Sequence, residues 1–191
     1  KCFVFIFSIS FVFCSLFIIP VSAEESVETE LIPGAVSGIL MEANSGKVVF
    51  SKNPDKEVPI ASMTKMVAQI LILDAIRNGK IAWDDVVTVS QNASDMGGSQ
   101  IYLSVGEKIS IRDLFKGISM ASANDATVQM AEVLAGSESA FVKQMNQKVK
   151  ELGLKHTVFK NCTGLDEEGH YSSAYDMAMI ARELVVNHSE I

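Results

Sequence analysis

The chain has 191 residues, 48% of them hydrophobic, and carries a formal net charge of −7 with three histidines. An acidic chain without basic clusters argues against nucleic acid as a partner. His156, His170 and His188 are too dispersed for a metal-binding signature, so neither a metal nor a cofactor is expected.

The stretch from Cys2 to Ile19 is almost entirely apolar behind a single Lys1. Pro20, the small residues Val21-Ser22-Ala23 and the acidic pair Glu24-Glu25 follow. A basic end, an apolar run and small residues at −3 and −1 form a secretory signal pattern. Roughly eighteen apolar residues could also span a bilayer, but the Val-x-Ala site and the polar stretch behind it favour cleavage after Ala23. The expected organisation is a signal peptide at 1–23, a polar leader at 24–33 and one incomplete catalytic domain at 34–191. Cleavage would remove Cys2 and Cys14 and leave Cys162 as a lone thiol. The exported fold then relies on its core rather than on a disulfide, and Cys162 reads as a buried small hydrophobe.

Ala35 to Met41 reads as a strand, Asn44-Ser45-Gly46 as a turn, and Lys47 to Phe50 as the returning strand. Asn53-Pro54-Asp55 closes that hairpin. From Ser62 the texture changes to helical spacing, with Met66, Ile70, Leu73 and Ile76 on one face. Val67 and Leu71 widen the face, so this helix is expected to be buried on more than one side before Asn78-Gly79 ends it. A short strand at Val86 to Val89 and a Gly-rich loop at Gly97-Gly98 follow.

Further helices are expected over Ile111 to Ile118, capped by Ser110, and over about Asn124 to Leu134. Another begins near Ser137 and carries Phe141, Met145, Val149 and Leu152 on one face, and a last one runs from near Ser173 to about Val186. One hairpin followed by a long helical run implies a sheet covered by helices. Two strands alone are marginal, so the sheet is expected to draw more strands from residues beyond Ile191.

The sharpest chemical feature is Ser62-Met63-Thr64-Lys65 at the start of the buried helix. A spacing of three puts Ser62 and Lys65 on one face, one turn apart. A serine hydroxyl is a poor nucleophile until something takes its proton. A lysine can take it only where desolvation or nearby positive charge lowers its pKa. The helix N-terminus favours a developing oxyanion. Taken alone, such a pattern is more often a serine cap and a surface lysine. Here it is the only Ser-x-x-Lys in the chain, and the helix behind it is too apolar for a surface helix.

Ser122-Ala123-Asn124 sits at a junction between two helical segments, within the small-residue run Ser119 to Ala123. Such a junction can lower a hydroxyl and an amide into a cleft. Ser51-Lys52-Asn53 and Ser90-Gln91-Asn92 share the spacing but follow predicted strands and read as turns.

Together these segments resemble the penicillin-binding D-Ala-D-Ala carboxypeptidases, the serine peptidase family S11. The resemblance runs from about Ala35 to Glu183. It is carried by Pro59-Ile60-Ala61-Ser62-Met63-Thr64-Lys65-Met66, by Ser119 to Ala126, and by Gly164-Leu165-Asp166 through His170, Ser173-Ala174 and Asp176-Met177-Ala178. It implies an α/β (α+β) fold of the β-lactamase/transpeptidase type, an antiparallel sheet flanked by a mostly helical region. It also implies removal of the terminal D-alanine from peptidoglycan pentapeptides through an acyl-enzyme. In that chemistry Ser62 would attack the carbonyl, Lys65 would accept its proton, Ser122 would relay a proton to the leaving amine, and Asn124 would hydrogen-bond the substrate peptide. His170 would support local structure, and a Ser-His-Asp triad is not expected without a Gly-x-Ser-x-Gly elbow.

The implied partners are stem peptides ending in D-Ala-D-Ala and β-lactams as acylating inhibitors. The implied place of action is outside the cytoplasmic membrane, at the wall or membrane, with membrane association through a C-terminal region. The sequence departs from the family in one respect, because a Lys-Thr-Gly element is absent. The strand that carries it is expected beyond Ile191, so this fragment alone is expected to be inactive.

Two other functions are compatible with parts of the pattern. A class A β-lactamase would need a deacylating glutamate, and Leu152 to Leu165 contains none. A penicillin-sensing module would acylate without turnover, and rapid D-alanine release would distinguish it. The export reading predicts that the mature protein recovered from outside the cell begins at Glu24. N-terminal sequencing that instead finds the 1–23 segment retained would support an anchor.

Overall fold

Strands β1 (Gly38–Met41) and β2 (Val48–Lys52) pair antiparallel, with Gly38 opposite Lys52 and Met41 opposite Val48. The computed structural model describes residues 31–188, so the expected signal peptide and most of the leader lie outside the described residues. Glu42 shapes the turn between the strands. Its carboxylate accepts from the N–H of Asn44 at 3.0 Å and of Ser45 at 2.6 Å. The Ser45 hydroxyl and these amides hold the exposed Glu42 carboxyl down at a pKa of about 2. Arg182 then donates to the carbonyls of Ala43 and Asn44, both at 2.6 Å, and so ties the turn to the C-terminal part of the fold.

Helix α1 (Lys65–Arg77) is the centre of the core. Val67, Ala68, Ile70, Ile72 and Leu73 are fully buried, while Met66, Leu71 and Ile76 are partly buried against the same cluster. The expected burial on several sides is therefore present. Each large aliphatic side chain so buried contributes about 1.5–3 kcal/mol.

A second two-stranded sheet pairs β3 (Val86–Thr88) with β4 (Lys108–Ser110), Val86 lying opposite Ser110. The described residues therefore hold two separate hairpin-sized sheets, not one. Strand β4 has little signal in the sequence because Lys108-Ile109-Ser110 holds one apolar residue, whereas β3 lies in the β-branched run Val86-Val87-Thr88-Val89. Where the sequence suggests a turn at Ser90-Gln91-Asn92, the chain forms the short helix α2 (Gln91–Ser94), which Ser90 caps by accepting from the N–H of Ala93 at 3.0 Å.

Helices α3 (Ile111–Ala121), α4 (Asn124–Ala135), α5 (Glu138–Glu151) and α6 (Ala174–Asn187) follow. Ser110, Ser137 and Ser173 cap α3, α5 and α6 by accepting from the N–H three residues on. All four helices pack against α1. Leu114 and Ile118 from α3, Val128 and Met130 from α4, Phe141 and Met145 from α5, and Ile180 from α6 complete the core. Among the described residues no helix is long and apolar enough to cross a membrane.

Cys162 is fully buried. Burial and the neighbouring Glu138 carboxylate, to which the thiol donates at 3.2 Å, push its pKa well above the usual thiol range. A thiol so placed stays protonated and unreactive.

Candidate active site

The segment Pro59-Ile60-Ala61 turns sharply into a single 3-10 turn, Ala61–Thr64, which runs on into α1. Ala61 takes φ +46°, a left-handed conformation unusual outside glycine. Ser62 therefore lies in a 3-10 turn and not in the first turn of an α-helix. In 3-10 geometry residues three apart eclipse each other, which sets Lys65 directly in line with Ser62.

Lys65 is 3% exposed, whereas Ser62 is exposed. The Lys65 Nζ donates to Ser62 Oγ at 3.2 Å and to the carbonyl of Thr163 at 2.6 Å. Burial pulls its pKa down to about 8. At pH 7 about a tenth of the lysine is then neutral, against about one part in three thousand for an ordinary lysine. In the neutral form one N–H still donates to Thr163 and the lone pair is free to accept the Ser62 O–H. The arrangement can extract a proton from a serine.

The loop that supplies Thr163 is itself built for close approach. Asn161 Oδ1 accepts from the N–H of Gly164 at 2.7 Å and of Thr163 at 3.2 Å. Glu138 accepts from the N–H of Cys162 at 3.1 Å. Gly164 takes φ +85°, and a Cβ there would stand 1.9 Å from the carbonyl oxygen of Ala61. Only glycine fits between this loop and the nucleophile turn.

His170 braces the same turn from behind. Lys160 donates its N–H to His170 Nδ1 at 3.2 Å, so the proton sits on Nε2, which donates to Thr64 Oγ1 at 2.7 Å. Burial lowers its pKa, and its ring meets Phe159 edge-on at 5.7 Å. His170 hydrogen-bonds neither Ser62 nor Lys65, in keeping with the supporting role expected for it.

Ser122 ends α3 in a left-handed conformation, φ +54° and ψ +36°. Its Oγ is buried with no hydrogen-bond partner among the described residues. Leaving a buried hydroxyl unpaired costs about 1–3 kcal/mol, an expense more usual at functional sites than in plain core. Asn124 opens α4, 4% exposed. Its backbone N–H donates to Ser99 at 2.7 Å and its Nδ2 to the carbonyl of Gly97 at 2.8 Å.

Gly98, with φ +81°, lies between Asn124 and Leu165, since a Cβ there would stand 2.7 Å from Asn124 Nδ2 and 3.8 Å from Leu165 Cδ2. The structure thus brings Ser62 and Lys65 into direct contact. Gly98 lies beside both Asn124 and Leu165, and neither Asn124 nor Ser122 hydrogen-bonds Ser62 or Lys65. Sequence reasoning missed the Thr163 carbonyl, which has no side-chain signature, and the packing role of Gly164. A glycine followed by Leu165-Asp166 within a resemblance block was the only available signal. Among the described residues no group of three or more His, Cys, Asp or Glu could hold a metal ion.

The family model for D-alanyl-D-alanine carboxypeptidases, peptidase S11, matches residues 24–190, and the chain belongs to this family. D-alanyl-D-alanine carboxypeptidase DacF of Bacillus subtilis is 54% identical over 157 residues, which cover 82% of this chain and 40% of that protein. The crystal structure of the D-alanyl-D-alanine carboxypeptidase DacD from Francisella tularensis superposes with a TM-score of 0.79 at 36% identity, over 81% of this chain and 37% of that one. Penicillin-binding protein D2 from Listeria monocytogenes, solved with cefotaxime bound, gives a TM-score of 0.71 at 29% identity, over 81% of this chain and 63% of that one. The chain therefore spans less than half the length of the Bacillus relative. The expected fold, of the transpeptidase and β-lactamase type, is the fold of these neighbours.

Gly164→Ala should lower stability by about 2–4 kcal/mol, combining left-handed strain with the backbone clash. Urea unfolding measures this directly, and a change below about 0.5 kcal/mol would show that the loop does not pack on Ala61 as described.

Proposed function

We propose that the protein carrying this chain is a serine D-Ala-D-Ala carboxypeptidase acting outside the cytoplasmic membrane on peptidoglycan stem peptides. The observation that carries this reading is the buried Lys65 Nζ at 3.2 Å from the exposed Ser62 Oγ, with a pKa near 8. Family membership and the names of the relatives support the substrate class. The cefotaxime-bound neighbour supports β-lactams as ligands, and their acylation of Ser62 is part of the proposal.

In the first step Ser62 Oγ attacks the carbonyl carbon between the two D-alanines while its proton passes to Lys65 Nζ. The tetrahedral intermediate collapses by breaking the C–N bond. Ser122 Oγ passes a proton to the leaving amine and is reprotonated from Lys65, so the proton taken from Ser62 leaves with the D-alanine. Asn124 accepts a hydrogen bond from the peptide of the substrate. A water then attacks the ester carbonyl and gives a proton to Lys65 Nζ. The bond from the acyl carbon to Ser62 Oγ breaks, and Lys65 returns that proton to Ser62 Oγ, which releases the carboxylic acid and restores both residues. The cleavable signal pattern supports export, and attachment at the membrane or wall rests on the family resemblance alone.

After incubation with benzylpenicillin, intact-mass analysis of the protein carrying this chain should show one penicilloyl adduct, located at Ser62. Ser62→Ala should abolish it, and Lys65→Ala should slow its formation by about 10²–10⁴-fold. An adduct that survives Ser62→Ala, or a folded wild type that takes none, would remove the proposal.

A further inference from the structure

Asp125 is 1% exposed, and none of the salt bridges among the described residues involves it. A buried carboxylate without a cation is expensive unless hydrogen bonds satisfy it. Asp125 is satisfied almost entirely by main chain. Oδ2 accepts from the N–H of Leu103 at 3.0 Å and Oδ1 from that of Ala126 at 2.8 Å. The N–H of Ile101 lies 3.2 Å from both oxygens. The position in the first turn of α4 adds the positive end of the helix dipole.

The two loop amides that Asp125 gathers flank Tyr102, which takes φ +61° and is 82% exposed. A tyrosine in that conformation persists only where its neighbours over-determine it. The loop so held is the one whose Gly97 carbonyl takes the Asn124 Nδ2 proton and whose Ser99 carbonyl takes the Asn124 backbone proton. One Nδ2 N–H is held by Gly97, which fixes the amide plane, and Oδ1 is the Asn124 side-chain atom that can accept from a substrate N–H.

We propose that Asp125 is a positioning residue for the carboxypeptidase reaction: by clamping the 97–103 loop to the start of α4, it fixes the amide of Asn124 in the orientation that receives the substrate peptide. This rests on the function proposed above. Asp125 touches no substrate and acts through Asn124. In the sequence Asp125 directly follows Asn124 in the block Ser122-Ala123-Asn124-Asp125.

The test is a double-mutant cycle on the second-order rate constant for penicilloyl formation at Ser62, with the protein carrying this chain. Wild type, Asp125→Ala, Asn124→Ala and the double variant are compared, each normalised to the fraction of molecules able to form the adduct. Asp125→Ala should slow acylation at least tenfold, and the double variant should be no more than about twofold slower than Asn124→Ala alone. A merely structural role would instead lower the competent fraction, or multiply with the Asn124→Ala effect. If Asp125→Ala does not fold, Asp125→Asn goes through the same cycle under the same criterion. It keeps one acceptor oxygen and sets an amide N–H₂ against a loop N–H. Wild-type acylation rates in the Asp125 variant, or fully multiplicative losses, overturn the positioning role alone. A wild type that takes no adduct overturns the functional reading, and this role with it.

Discussion

A lysine with 3% of its surface exposed and no salt bridge among the described residues is the constraint around which this site is organised. Keeping that ammonium charged out of water costs roughly 3 kcal/mol relative to an exposed lysine. A carboxylate partner would recover the cost and leave the lysine permanently protonated. The fold supplies two neutral partners instead, the Thr163 carbonyl and the Ser62 hydroxyl. Both serve the ammonium, and both still serve the neutral amine. The linkage has a definite sign. Because the folded-state pKa lies below the unfolded value, the cost is full below pH 8 and is relieved as pH rises toward 10.5.

Supporting Lys65 in this way requires loops that approach one another more closely than ordinary side chains permit. Gly164 lies against Ala61, and Gly98 against Asn124. Of the four non-glycine residues with positive φ among the described residues, Ala61, Ser122 and Tyr102 lie in the nucleophile turn, the α3–α4 junction and the clamped loop, while Asn53 lies in the turn after β2. Strain at three such places persists because buried hydrogen bonds and the core behind α1 hold it. His170 on Thr64, Asn161 on the 163–164 amides, and Asp125 on the 101–103 amides are the fastenings. Stability of the helical core is thus coupled to the geometry of the reacting groups.

Much of this was legible in the residues. The 3.6-residue periodicity of Met66 to Ile76 located α1, and serine caps at 110, 137 and 173 located three more helix starts. Ser62 and Lys65 were readable because catalysis needs particular side chains at a fixed spacing. What was not legible depends on main chain or on brevity. The Thr163 carbonyl belongs to any residue type, β4 holds a single apolar residue, α2 is one turn long, and the 3-10 turn and left-handed Ala61 are backbone features with no side-chain signature. The pairing of β3 with β4 as a second small sheet, separate from β1–β2, was not legible either. Hydrophobic pattern reports which face of a strand is buried, not which strands share a ladder.

The central claim is that Lys65 reaches neutrality near physiological pH while held against Ser62. Titration of the protein with ¹³C-labelled lysine, followed by NMR, observes this directly. One lysine resonance, missing in Lys65→Arg, should titrate with a midpoint near 8, and the rate of Ser62 acylation should rise through the same midpoint. A Lys65 resonance that titrates near 10.5, with an acylation rate flat across pH 7 to 9, would contradict the account.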